Sequence, residues 1–130
     1  FACLNIGNPH AVTFITRPLS DAEFFRIGPI VENHELFLNK TNVEFAQIIS
    51  DDLIEVRVWE RGAGETLACG SGACAVGILA MAKKLIKKNQ TLIRFKGGDL
   101  LIKWDGIDSP VIMTGNYETE FEGVIDESFF

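Results

Sequence analysis

Several classes of protein are excluded by what this sequence lacks. It has only three cysteines in 130 residues, an odd number with no Cys-x-x-Cys pair, so neither a disulfide framework nor a metal or dithiol redox motif is expected. There are enough apolar residues to fold without staples, and Cys3, Cys69 and Cys74 are expected to be free thiols in a reducing cytosol. No apolar run approaches the roughly 20 residues that span a bilayer, so no membrane partner is expected. Positive charge is scarce: twelve Lys and Arg against eighteen Asp and Glu leave a formal net charge of −6, which discourages binding to nucleic acid. The one basic cluster, Lys83, Lys84, Lys87 and Lys88, falls where a helix is expected to end, and cations there complement the helix dipole. Internal repeats, low-complexity segments and linkers are missing too. The chain opens on Phe1-Ala2-Cys3 with no initiating Met and no charged-then-apolar leader, and on that ground it is expected to be a fragment.

What is there suits a soluble globular chain of one-domain size, with 47% apolar and 23% charged residues. Apolar runs rich in β-branched residues predict strands at Cys3–Ile6, Ala11–Thr16, Val43–Ile49, Leu53–Trp59, Thr91–Phe95, Leu100–Trp104 and Val111–Thr114. Turn residues such as Gly7-Asn8-Pro9 and Gly97-Gly98-Asp99 punctuate them. Two helices interrupt the strands. The first is expected to begin at Ser20, whose hydroxyl and Glu23 form a capping box, and to break or kink at Gly28-Pro29. The second is expected over Gly72 to Lys87. Its first two turns are small and apolar almost all round, which predicts burial with neighbours close to its backbone. The fold class expected is α+β: an antiparallel, barrel-like curled sheet around a buried central helix.

Chemistry concentrates in one segment, Glu60-Arg61-Gly62-Ala63-Gly64-Glu65-Thr66-Leu67-Ala68-Cys69-Gly70-Ser71-Gly72-Ala73-Cys74-Ala75. It leaves a strand, crosses a glycine-rich loop and brings Cys69 to the start of the buried helix. Backbone N–H groups in a first helical turn lack internal partners, and the helix dipole adds positive potential. A thiol there is expected to have a lowered pKa. Gly70, Ser71 and Gly72 leave room for a carboxylate on the same N–H groups. Cysteine is also among the most buried residue types, so Cys69 reads equally as packing or chemistry, whereas Cys74, inside the helix, reads as packing. Glu60 and Arg61 taken alone fit an exposed ion pair, and His10 alone fits a loop residue.

Taken together, Gly7-Asn8-Pro9-His10-Ala11-Val12, Asn42-Val43-Glu44-Phe45 and the sixteen-residue cysteine segment resemble the C-terminal half of diaminopimelate epimerases. Proline racemases and phenazine-biosynthesis isomerases, which share that fold, lack the Glu-Arg-Gly lead into Ala-Cys-Gly. The resemblance implies an enzyme without cofactor or metal that interconverts LL- and meso-diaminopimelate through a thiolate and a thiol, one from each half of a two-domain chain. Cys69 resembles the C-terminal catalytic cysteine, Glu60 the carboxylate that modulates it, and His10 the histidine paired with the other cysteine. Asn8, Asn42 and Arg61, together with Glu60, match substrate-binding positions, as do Gly70 and Ser71, the latter where threonine is frequent. Residues 1–115 would then be the C-terminal domain without its first strands. Residues 116–130 would be a tail strand that pairs with the N-terminal half, and Phe121 stands where tyrosine is common at a homodimer contact. The alternative is a non-catalytic amino-acid-binding or interaction domain of the same fold.

Overall fold

A computed structural model describes residues 1–129. The strands are β1 (Ala2–Asn5), β2 (Pro9–Phe14), β3 (Asn42–Ser50), β4 (Leu53–Glu60), β5 (Gly64–Thr66), β6 (Gln90–Phe95), β7 (Gly98–Trp104) and β8 (Val111–Thr114). The helices are α1 (Asp21–Glu32) and α2 (Gly70–Ala82), and a 3-10 turn spans Glu127–Phe129. All eight strands form one sheet in the order β1-β2-β3-β4-β6-β7-β8, with β5 paired to β4 off that path. The sheet curls around α2, which touches β1, β2, β3, β6, β7 and β8. The seven predicted strands and both helices are present, and the curled sheet around a buried helix is the architecture expected.

One part of the expectation is corrected. The sheet is mixed, because β2 pairs with β3 and β4 with β6 in parallel. The reason lies in the connections: α1 separates the first pair and α2 the second, and a helical crossover returns the chain to the end from which it started. Alternating hydrophobicity marks a strand but carries no information on direction. Strand β5, three residues in the glycine-rich loop, is too short to leave such a pattern.

Strand alternation divides the core in two. Val12, Ala46, Ile54, Val56, Val58, Ile93 and Ile102 pack with Ala73, Ala75, Val76 and Ala80 of α2. On the other face Val43 and Phe45 pack with Phe24 of α1, flanked by Trp59. Small residues let α2 lie close to the sheet: a Cβ on Gly77 would sit 2.6 Å from Ile102 Cγ2.

Both helix ends differ from expectation for tertiary reasons. The capping box at α1 is present, with Glu23 N donating to Ser20 Oγ at 3.3 Å and Ser20 N donating to the Glu23 carboxylate at 2.9 Å. Gly28-Pro29 does not end the helix, which continues to Glu32. Gly28 lies against the Trp59 ring, where a Cβ would come within 2.8 Å. Glu32, in the last turn, accepts hydrogen bonds from Trp59 Nε1 at 2.7 Å and Gly62 N at 2.8 Å. These contacts outweigh the hydrogen bond that Pro29 removes. Helix α2 begins at Gly70 and stops at Ala82, short of Lys87. Lys84 turns to φ 55°, Leu85 N donates to Ala80 O and Lys84 N to Met81 O, the Schellman pattern that ends helices. Of the four lysines, only Lys83 therefore stands at the C-cap. Lys88 instead pairs with Asp52 at 2.6 Å.

Among the described residues the tail has no neighbour to pair with. From Gly115 to Asp126 the chain forms neither helix nor strand, and Tyr117, Phe121 and Val124 are exposed. A strand needs a neighbour to satisfy its backbone groups, and none lies beside this segment among the described residues. Phe130 falls outside the described residues.

Candidate functional site

The strand directions bring polar residues to one rim of the sheet. Because β2 and β3 are parallel and β4 runs antiparallel to β3, the starts of β2 and β3 lie beside the end of β4. Alternation then places Asn42, Glu44 and Ala46 on the face of β3 toward α2, and Val56, Val58 and Glu60 on the same face of β4. The apolar members of both rows pack against α2. The polar members collect at its N-terminus.

Cys69 is the N-cap of α2, in extended conformation (φ −142°, ψ 111°), and its Sγ accepts a hydrogen bond from Gly72 N at 3.3 Å. Serine, threonine, aspartate and asparagine are the preferred caps. Sulfur is a weaker acceptor, so capping alone does not account for a cysteine here. Ser71 Oγ lies 3.5 Å from the same sulfur. From Ser71 a chain of contacts runs back into the sheet. Asn8 Nδ2 donates to Ser71 Oγ at 3.1 Å, Asn8 Oδ1 is 3.0 Å from His10 Nε2, and His10 Nδ1 is 2.6 Å from Glu44 Oε1. His10 is 1% exposed and Glu44 0%. The loop residue of the sequence reading is thus a buried histidine bound to a buried carboxylate.

The electrostatics at Cys69 reverse the expected pKa shift. Burial pushes the thiol up, hydrogen bonds from Ser71 and Gly72 pull it down, and the charge of Glu60, with that of Glu44 whenever its carboxylate is ionised, raises it further. The net direction is upward. The helix N-terminus is present as expected, but desolvation of the sulfur outweighs it. Cys74 is also raised, chiefly by burial, in keeping with packing. Burial likewise raises Glu44, against the opposing pull of its hydrogen bond to His10.

The remaining expected residues surround this chain. Glu60 accepts from Thr66 Oγ1 at 2.5 Å. Asn42 is a clamp: its Oδ1 accepts from Arg61 N at 2.9 Å, and its Nδ2 donates to Pro9 O at 3.0 Å, tying the end of β4 to the start of β2. The Arg61 guanidinium turns toward the Asn39 carbonyl at 3.1 Å. It borders an open cleft of about 460 Å³ that Asn5, Pro9 and Lys40 also line. Gly70 and Ser71 supply the first two helical N–H groups, which have no intrahelical acceptors.

Sequence reasoning assigned no role to Glu44. It stands in Asn42-Val43-Glu44-Phe45, but an acidic residue inside a strand pattern reads as solvent-facing unless both faces of the strand are known to be covered. The only available signal was the unbroken apolar setting Val43-Glu44-Phe45-Ala46, which suits a strand buried on both faces.

The sequence profile of diaminopimelate epimerase matches residues 2–120. A diaminopimelate epimerase of Methanococcus maripaludis strain C6 is 49% identical over 126 residues, covering 97% of this chain and 45% of that protein. One from Desulfovibrio desulfuricans is 47% identical over 120 residues, covering 92% of this chain and 41% of that protein. The chain thus spans less than half the length of the curated relatives it matches. Among solved structures, a phenazine biosynthesis protein of the PhzF family from Enterococcus faecalis superposes with a TM-score of 0.61 at 19% identity, over 76% of this chain and 35% of that one. A Bacillus anthracis member of the same family gives 0.61 at 21% identity, over 84% and 34%. At such identities the likeness is one of fold.

Proposed function

This chain belongs to the diaminopimelate epimerase family, and from that premise we propose that it supplies one half of the active site of an enzyme interconverting LL- and meso-diaminopimelate. The observation that carries the reading is a buried thiol at the N-cap of α2, with Gly72 N donating to it, Ser71 Oγ 3.5 Å away and Glu60 nearby, in a chain of that family. Cys69 is the base on one face of the substrate's Cα, and the acid on the other face is a second thiol from the part of the relatives this chain does not span. In one direction the Cys69 thiolate takes the Cα proton as the opposite thiol delivers its own to the other face. The centre inverts, and the two sulfurs exchange protonation states.

The α-carbon of an amino acid is a weak acid, so its removal needs a well-placed base and donors that stabilise the developing negative charge. The free N–H groups of Gly70 and Ser71 and the dipole of α2 suit the substrate carboxylate next to the reacting carbon. Glu60 takes up the thiol proton as the thiolate forms. Arg61, beside the open cleft, suits the distal amino-acid end, where a guanidinium matches a carboxylate, and Asn8 and Asn42 are assigned to the same end. The reading also carries a homodimer through the segment of Phe121, and action in the cytosol, where thiols stay reduced. Among the described residues no helix is long and apolar enough to cross a membrane.

In the full-length enzyme carrying this chain, Cys69→Ala is expected to abolish conversion of LL- to meso-diaminopimelate. Retained activity would refute the assignment. The 130-residue chain alone is expected to catalyse no deuterium exchange at Cα, since the opposing base is needed.

A further inference from the structure

We propose that Glu44 is a positioning residue of this site, setting the protonation pattern of His10 and thereby the direction of the hydrogen-bond chain that ends on Cys69. Its importance for the reaction rests on the epimerase reading, but its geometry does not. Asn8 Nδ2 donates to Ser71 Oγ, which leaves the serine hydrogen free to point at Cys69 Sγ. That orientation turns Asn8 Oδ1 toward His10 Nε2. Two acceptors do not meet at 3.0 Å, so Nε2 carries a hydrogen.

The other ring nitrogen then decides the pattern. Nδ1 and Glu44 Oε1 lie 2.6 Å apart, a separation that requires one proton between them. Whether that proton sits formally on nitrogen or on oxygen, the pair is neutral overall and Nε2–H is kept. The competing pattern has a glutamate, a hydrogen on Nδ1 and a bare Nε2. It would flip the Asn8 amide, draw the Ser71 hydrogen away from sulfur, and leave an uncompensated negative charge at a site with no exposure. Glu44 Oε2 has no hydrogen-bond partner, and an ionised carboxylate with an orphaned buried oxygen is costly. Glu60 from β4 and Cys69 from the α2 cap add no positive charge to offset it. The neutral pair is therefore favoured, and every donor in the chain points toward the sulfur.

A second feature fits a built contact. Glu44 Oε1 lies where a Cβ on Gly72 would come within 2.9 Å. The glycine in the first turn of α2 is what lets the carboxylate reach beneath the helix start.

The test uses the nitrogen-15-labelled chain. Long-range proton–nitrogen spectra of His10 at neutral pH are expected to show a protonated Nε2. Glu44→Gln is expected to keep it, because the amide donates to a bare Nδ1, and to leave the pH midpoint of Cys69 alkylation by iodoacetamide unchanged, the pair being neutral before and after. Glu44→Leu is expected to mix the two tautomers and slow Cys69 alkylation at fixed pH by about tenfold, the worth of one lost hydrogen bond to a thiolate. A bare Nε2 in the unaltered chain, or a lowered alkylation midpoint in Glu44→Gln, would overturn the proposal. So would Glu44→Leu matching the unaltered chain in both readouts. If Glu44→Leu does not fold, the glutamine variant still decides. Failure of the epimerase reading would appear as activity surviving Cys69→Ala, with these nitrogen shifts untouched.

Discussion

Gly72→Ala probes the contact between the helix start and the sheet most directly. Gly72 lies within α2, and its backbone is not in the left-handed region, so alanine meets no conformational strain. By helix propensity alone the change should stabilise by about 0.5–1 kcal/mol. The added Cβ, however, would lie 2.9 Å from Glu44 Oε1 and 3.3 Å from both Cβ and Sγ of Cys69. The carboxylate cannot swing aside, since it is fully buried and held by His10 at 2.6 Å. Overpacking of this kind costs about 1–3 kcal/mol, and losing a buried hydrogen bond to a charged partner costs about 1.5–3 more. The net expectation is a destabilisation of about 2–5 kcal/mol. Gly70→Ala, two residues earlier, is the control. Its Cβ would meet Met113 Cε and Sδ at 3.3 Å, and Met113 is half-exposed and flexible, so the change should stay within about 0.5 kcal/mol of the parent, as for a surface position. Urea unfolding followed by circular dichroism measures both, with the m-value as a check on two-state behaviour. A Gly72→Ala chain as stable as the parent would refute the argument, as would a Gly70→Ala chain equally weakened. In a Glu44→Ala background the cost of Gly72→Ala should largely vanish, because the two positions couple through one contact.

Other outcomes follow from the electrostatics. Because burial raises Cys69, the isolated chain should alkylate at Cys69 more slowly than at the exposed Cys3 at neutral pH, as peptide mapping after limited iodoacetamide treatment would show. Glu60→Gln removes a negative charge that opposes the thiolate and should speed the reaction at Cys69, whereas Ser71→Ala removes a donor and should slow it; the reverse order would contradict the assigned contacts. At the other helix, the Arg17 guanidinium and the Ser20 cap hold the Glu23 carboxyl down at about 2. A lowered folded-state value means the cap contributes fully above the unfolded carboxylate range and is lost as pH falls through about 2. Acid titration of α1 helicity should show that step in the parent and not in Glu23→Gln.

The legible parts of this protein were those written in local pattern. The capping box at Ser20-Glu23, the small-residue face of α2 and the positions of seven strands depend on residues within a turn or two of each other, and each was found where expected. So was the delivery of Cys69 to the start of α2, because a glycine-rich loop running into small apolar residues is a local signature. The family resemblance, carried by motifs in order along the chain, likewise needed no coordinates.

What stayed hidden involves residues distant in sequence. Pro29 reads as a helix breaker until Glu32 is seen gripping Trp59 and Gly62 from another element. Glu44 reads as a surface carboxylate until β2, β4 and α2 cover it. The upward shift at Cys69 comes from desolvation by everything packed around the sulfur, and no stretch of sequence encodes that sum. The sequence by itself determined which segments become strands and helices and which residue types arrive at the rim. The tertiary structure alone decided strand direction, the pairing of His10 with Glu44 and the sign of the thiol's shift, since crossover geometry and burial are properties of elements packed together.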